Sequence, residues 1–192
     1  MNQAKAGKLI QKLRKEKNMT QLELANRLLI SDKAISKWER GLGSPDISLI
    51  GELSYILGVE IEKLLKGDLD KNKKDSGNLR KIKFYVCGDC GAVLYSTGNP
   101  DISCCGRILQ PLQVQDIDDV LEIKIEEIEN DYYITLNHPM KKDHYISFIA
   151  YVNYQQVLLT KLYPEQSSEV RIPRLPKGQI YAYCSKDGLF VI

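Results

Sequence analysis

Residues 19–41 read MTQLELANRLLISDKAISKWERG, and their spacing decides the first half of the fold. Leu22, Leu24, Ala25 and Leu28, then Ile35 and Trp38, recur at the period of helices with one buried face. Thr20 with Glu23 three residues on is a capping-box pattern, and Ser31 is placed to cap a second helix. Two short helices joined by a tight turn set the second one in position to enter a DNA major groove. Ala25 lies where the helices must approach closely, Leu28 and Ile35 fill the space between them, and Trp38 anchors the second on its buried side.

The helical period extends both ways. Leu9, Ile10 and Leu13 precede the stretch; Ile47, Ile50, Leu53 and Leu57, then Ile61, Leu64 and Leu65, follow it. Pro45-Asp46 opens one of these helices, and Gly41, Gly43 and Gly58 sit at helix ends. From Leu9 to Leu65 the chain resembles the Cro and phage-repressor (XRE-type) class of helix-turn-helix domains, through T-Q-x-x-L-A, I-S-x-x-x-I-S-K-W-E-R-G and the following P-D. The resemblance implies a five-helix bundle that binds double-stranded operator DNA as a homodimer. It implies base-edge contacts from Asp32, Lys33 and Lys37, a phosphate contact from Gln21, and further backbone contacts from Ser31 and Arg40. Lysine can donate to guanine O6/N7, and an aspartate can accept from cytosine N4.

Composition fits this division of labour. The 192 residues are 43% hydrophobic and 27% charged, enough to bury a core in one or two domains. Residues 1–83 hold 18 Lys+Arg against 11 Asp+Glu, while 84–192 hold 9 against 14. A basic half joined to an acidic half points to nucleic-acid contact by the first half, although an uneven surface alone gives the same asymmetry. No apolar run approaches the roughly 20 residues of a membrane span, and the N-terminus has no signal-peptide core, so a cytoplasmic protein with no membrane partner is expected. In a reducing compartment five cysteines point to metal ligation before disulfides.

Residues 67–80, GDLDKNKKDSGNLR, read as a linker, after which the pattern turns strand-like. Residues 81–86 alternate, and β-rich runs fall at 120–128, 132–137, 145–152, 155–163, 168–172, 179–184 and 189–192, the spacing of a β-sandwich. The expected architecture is multidomain α + β. A helix-turn-helix bundle occupies 1–66, a linker 67–80, a small four-cysteine metal ribbon 81–112, and an immunoglobulin-like sandwich 113–192.

Cys87-Gly-Asp-Cys90 and the later Cys104-Cys105 supply four thiols in two close pairs, which can close a tetrahedron around one zinc or iron ion; spacing does not separate the two metals. Buried free thiols or a redox C-x-x-C are the alternatives. FYVCGDCGAVLYSTG and CCGRILQPL, within residues 84–112, resemble the desulforedoxin-like module of desulfoferrodoxins, which implies one ion on these four cysteines.

Both histidines of the chain lie in His138-Pro-Met-Lys-Lys-Asp-His144-Tyr-Ile, and the fifth cysteine in Tyr183-Cys184-Ser-Lys-Asp187-Gly-Leu-Phe. These stretches resemble the superoxide reductase domain of desulfoferrodoxin and neelaredoxin. That family holds ferrous iron by four equatorial histidines and an axial cysteine and reduces superoxide at the open sixth position. By position His138 and His144 match two equatorial ligands and Cys184 the axial thiolate, while Asp187 stands where the family has a third histidine. The fourth would fall near Asp119-Val-Leu-Glu-Ile123, where there is none, and the family's catalytic Glu-Lys pair is not recognisable there either. The second site is therefore expected to be degenerate, at best rebuilt from His138, His144, Cys184 and Asp187, with no catalytic residues assigned. The expected function is sequence-specific transcriptional regulation with a metal-binding, redox- or metal-sensing C-terminal region, and not an enzyme. The alternatives are a superoxide reductase with a DNA-binding head, and a regulator whose C-terminal region only holds dimers together.

Overall fold

The computed structural model describes residues 2–75, 77–115, 122–175 and 177–192. The chain divides into two compact units, Met1–Lys71 and Asn72–Ile192.

The first unit is five helices: α1 Gln3–Glu16, α2 Gln21–Arg27, α3 Asp32–Glu39, α4 Ile47–Leu57 and α5 Ile61–Lys66. Thr20 and Glu23 complete a reciprocal capping box on α2, and Ser31 Oγ accepts the Ala34 N–H at the start of α3. Leu9, Ile10, Leu13, Leu24, Ala25, Leu28, Ile35, Trp38, Leu53, Leu57 and Leu64 form one core. The approach of α1 to α3 is close enough to require glycine: a Cβ on Gly7 would lie 2.0 Å from the Trp38 carbonyl oxygen. Leu69 also packs against this core, and Asn78 caps a 3-10 turn at Leu79–Lys81, so ordered contacts reach into both ends of the segment expected as a linker.

A buried ion pair crosses this core. Arg14 Nε and Nη2 donate to Glu39 Oε1 and Oε2 at 2.6 and 3.0 Å, and Arg14 also donates to the Met19 carbonyl. Gln21 Nε2 and Gln11 Nε2 add donors to Glu39 Oε2 at 2.7 and 3.4 Å. Burial opposes the carboxylate, but the donors from Arg14 and Gln21 outweigh it and hold Glu39 below its ordinary value. The pair joins α1 to α3, and through Gln21 to α2.

The second unit opens with two hairpins, β1 Lys83–Val86 with β2 Val93–Ser96, and β3 Ile102–Cys104 with β4 Arg107–Leu109. The remaining strands are β5 Val114–Gln115, β6 Glu122–Ile128, β7 Asp131–Asn137, β8 Ile146–Val152, β9 Val157–Lys161, β10 Glu169–Pro173, β11 Gln179–Cys184 and β12 Gly188–Val191. They form a three-stranded sheet, β10-β7-β6, and a five-stranded sheet, β5-β12-β11-β8-β9, antiparallel except where β5 joins β12. Ile134, Leu136, Val170 and Ile172 from the first sheet meet Ile146, Ile149, Tyr151, Ala182 and Phe190 from the second. The outer face of the five-stranded sheet is covered too: Phe84 of β1 packs on Phe148 and Tyr181, with ring centroids 5.2 and 5.3 Å apart. All seven residues of β8 are buried in consequence.

The strand expected at 155–163 is Val157–Lys161; it starts later because Asn153 Oδ1 accepts the Gln155 and Gln156 N–H groups and holds a turn there. The start of the strand expected at 120–128 lies outside the described residues, and the described strand begins at Glu122. Among the described residues no helix is long and apolar enough to cross a membrane.

The lowered Glu39 carboxyl contributes stability above its unfolded-state value that is lost as pH falls through its folded one. Trp38, the sole tryptophan of the sequence, reports on this unit alone. Urea unfolding followed by its fluorescence should show an acid-labile increment from about pH 5 downward that Glu39→Gln removes. At neutral pH the same substitution should cost about 3–5 kcal/mol by leaving Arg14 buried without its counter-charge.

Candidate nucleic-acid interface and metal centres

On α3 the buried and exposed faces are cleanly separated. Ile35 and Trp38 point into the core, while Asp32, Lys33 and Lys37 stand in solvent, the two lysines one helical turn apart. Asp32 Oδ1 accepts the Lys33 N–H at 2.8 Å and so sits over the positive end of the helix. Arg40, also exposed, donates from Nε to the Ser36 carbonyl at 3.2 Å. Ser31 caps the helix. Gln21 is placed differently: its amide is turned onto Glu39, held by the ion-pair network at the foot of α3. Of the pair that orients Gln21 and α3, Arg14 carries no signal in the sequence beyond helical spacing, and Glu39 appears only as a letter of the I-S-x-x-x-I-S-K-W-E-R-G motif, with no sign of its partner.

Cys87, Cys90, Cys104 and Cys105 bring four sulfurs within 4.8 Å of one another, with Cys90 Sγ and Cys104 Sγ 3.5 Å apart. Tetrahedral coordination with bonds near 2.3 Å sets sulfurs about 3.8 Å apart, so the cluster already has the needed size. The two turns are built for it. Gly91 N–H closes on the Cys87 carbonyl at 2.8 Å with φ +69°, and Cys105 and Gly106 take φ of +50° and +75°. The thiols are in mutual conflict. Backbone N–H groups of Cys90 and Asp89 pull Cys87 down to about 7, while contact with Cys90 and Cys87 pushes Cys105 up to about 12. One cation in place of the protons resolves that conflict, so the donor set fits a single thiolate-bound ion.

Lys161 ties this ribbon to the sandwich. Its ammonium donates to the Gly91 carbonyl at 2.9 Å and to Ser147 Oγ at 2.8 Å; partial burial lowers its ordinary value, against the opposing pull of Cys90. A lysine in VLLTKLYP gives no sequence sign of this role, because the contact is made 70 residues away.

Just before β8 begins, His138, His144, Cys184 and Asp187 form a ring of donor atoms. His138 Nε2 to His144 Nε2 is 3.2 Å, His144 Nε2 to Asp187 Oδ2 is 2.8 Å, Asp187 Oδ2 to Cys184 Sγ is 3.0 Å, and Cys184 Sγ to His138 Nε2 is 3.4 Å. Cys184 is buried; the His144 and Asp187 side chains are 26% and 31% exposed, so the ring opens at the rim of the sandwich. Burial, then His144, lowers His138; Cys184 and His144 lower Asp187; burial raises Cys184. This ring does not fit a ferrous centre of four histidines and a cysteine, since the chain has two histidines and both are already in it. No superoxide-reducing step follows from it.

A basic helical head with an exposed reading helix, followed by a β body carrying a four-thiol cluster, defines a DNA-binding regulator of the helix-turn-helix type with a desulfoferrodoxin-like C-terminal region. The helix-turn-helix family model matches residues 10–64. The chain is 36% identical over 78 residues to the SPbeta prophage-derived uncharacterized HTH-type transcriptional regulator YonR of Bacillus subtilis, covering 72% of it. It is 39% identical over 82 residues to the HTH-type transcriptional activator BcrR of Enterococcus faecalis, a match to 41% of this chain that spans only 40% of that relative's length. The chain belongs to the helix-turn-helix transcriptional regulators. Its C-terminal region is 26% identical over 117 residues to a desulfoferrodoxin of Clostridium acetobutylicum, covering 57% of this chain and 94% of that protein. The same region shares its fold with the superoxide reductase from Treponema pallidum, with a TM-score of 0.51 at 18% identity over 59% of this chain and 98% of that one.

Replacing Cys90 and Cys104 together by serine should remove one bound ion per chain, counted by elemental analysis. It should leave the α-helical signal of the first unit in place, since that unit has its own core.

Proposed function

We propose that the protein reads an operator through α3 and reports the state of a metal ion held by its C-terminal region. The observation that carries this is α3 itself: Ile35 and Trp38 are fully used in packing, while Asp32, Lys33 and Lys37 on the same helix have no packing role and face outward. In this reading those three residues meet base edges, and Ser31, Arg40 and the second amide hydrogen of Gln21, whose Nε2 also donates to Glu39, meet the sugar-phosphate backbone. The protein acts as a homodimer on two half-sites about 34 Å apart. The working modules are the head at 1–66, the linker at 67–80, the ribbon at 81–112 and the sandwich at 113–192.

The ion, iron or zinc, sits on Cys87, Cys90, Cys104 and Cys105 and ties the 87–91 turn to the 104–106 turn. The exposure of Cys90 and Cys105 supports a sensing role: an oxidant or chelator can reach the cluster without unfolding the body. With iron bound, the ion supplies one-electron chemistry; with zinc, the thiolates themselves are the oxidisable groups. The protein is a regulator and not an oxidoreductase.

In a gel shift on its own upstream DNA, Lys33→Ala with Lys37→Ala should weaken operator binding by about 1–3 kcal/mol for each lysine–base hydrogen bond removed, and should reduce its salt dependence. Unchanged binding would place the reading surface elsewhere. Metal-loaded and chelator-stripped protein should differ in affinity for the same fragment; equal affinity would leave the C-terminal region as a scaffold.

A further inference from the structure

The ring at the end of β8 holds too few histidines for the iron centre of its fold relatives, yet it is not a collapsed remnant. Four donor atoms converge from the 138–145 loop between β7 and β8 and from the last residue of β11 with the turn that follows it. The loops are cross-braced: Tyr145 N–H donates to Ser185 Oγ at 3.1 Å, Ser185 N–H donates to the Tyr145 carbonyl at 2.9 Å, and Lys186 pairs with Asp143 at 3.2 Å. The Lys186 and Asp187 N–H groups both point at Cys184 Sγ from 3.4 Å, the arrangement that supports a thiolate.

We propose that His138, His144, Cys184 and Asp187 form a closed four-donor site for a zinc-class divalent cation, which the protein binds without turning anything over. Three arguments converge. Size comes first: tetrahedral bonds of 2.0–2.3 Å separate the donors by roughly 3.3–3.6 Å. The four neighbouring separations, from 2.8 to 3.4 Å, need a small outward adjustment, and the two across the ring lie within 4.8 Å, so folding the ring toward a tetrahedron completes the fit. Charge comes second. One thiolate and one carboxylate with two neutral imidazoles cancel a divalent cation, so a half-buried site gains no net charge. Donor number comes third. Four mixed N, S and O donors complete the tetrahedral shell that zinc favours. Ferrous iron, which binds such donors more weakly in the divalent series, loses the imidazole plane that would hold it against that order. Asp187 is the residue that changes the chemistry: it fills the shell with an anion and leaves no position for superoxide.

The proposal stands apart from the cysteine cluster, and the test separates them. Stripped full-length protein is titrated with zinc under reducing conditions. Wild type should bind two equivalents; Cys90→Ser with Cys104→Ser should retain one, and Asp187→Asn should weaken that remaining one by at least about 100-fold. Met140 N–H donates to His138 Nδ1 at 3.3 Å, which leaves the ring proton on Nε2; ligation through Nε2 moves it to Nδ1 and breaks this long hydrogen bond, so the 138–140 turn must give way slightly. Long-range 1H–15N spectra should therefore show His138 switching tautomer on zinc addition in wild type but not in Asp187→Asn, and the remaining resonances show whether the variant is folded. Zinc affinity unchanged by both Asp187→Asn and His144→Ala, or no tautomer switch, would overturn the site. So would iron occupying it when equal ferrous iron and zinc are offered anaerobically. A single wild-type equivalent lost in Asp187→Asn keeps this site and removes the cysteine one; a single equivalent lost only in the cysteine variant overturns this proposal.

Discussion

A strand buried on both faces has to satisfy two packing surfaces at once, and β8 is such a strand. Its inner face closes the sandwich through Ile149 and Tyr151, and its outer face, through Phe148, Ala150 and Val152, receives Phe84 and its neighbours. Both donor clusters are hung from this strand. Just before it begins, His144 and Tyr145 bring one loop to the turn that carries Cys184 and Asp187. Just inside it, Ser147 receives the Lys161 ammonium that also grips the Gly91 carbonyl beside Cys90. A register shift where β11 passes β8, between Tyr183 and Cys184, sets the cysteine into the interior core. Interior packing thus fixes where the donor atoms are, and the exposed loops only complete them.

The helical head solves a different problem. Five short helices cannot hold α3 by apolar packing alone and still leave most of its surface free for a ligand. The Arg14–Glu39 pair supplies a directional tie at the end of α3, and its bidentate geometry specifies one register of α1 against α3. Gln21 extends the network to α2. The charges that order the interior are thereby kept distinct from those that face outward.

Much of this was legible in the chain because it depends on local or near-local rules. The capping box at Thr20 and Glu23, the Ser31 cap and the buried stripe through Leu24, Leu28, Ile35 and Trp38 are periodicities and spacings. The four cysteines stand out as a group because thiol pairs at such spacing have few other uses, and Asp187 stands out only through the resemblance, which has a histidine at its position. What escaped is long-range and charged. Arg14 and Lys161 read as surface residues, since a lone basic side chain in a helix or strand gives no sign that a carboxylate or a carbonyl waits elsewhere in the chain. Gln21 reads as facing outward until Glu39 is in place. The strand ends at 153–157 were decided by one asparagine side chain competing with the sheet, a contest that composition does not resolve.

The ribbon differs from the rest of the second unit in what holds it. β4 exposes Ile108 at 71%, and among the described residues β3 and β4 pair only with each other. Ile102, Leu109 and Leu112, all half-buried, are the main apolar side chains the segment from 100 to 112 covers. On the proposed reading an ion here does the work that a hydrophobic core does elsewhere, and such a tie can be undone without heat or denaturant. With the ion removed, the 100–112 hairpin loses that tie while the sandwich keeps its own core.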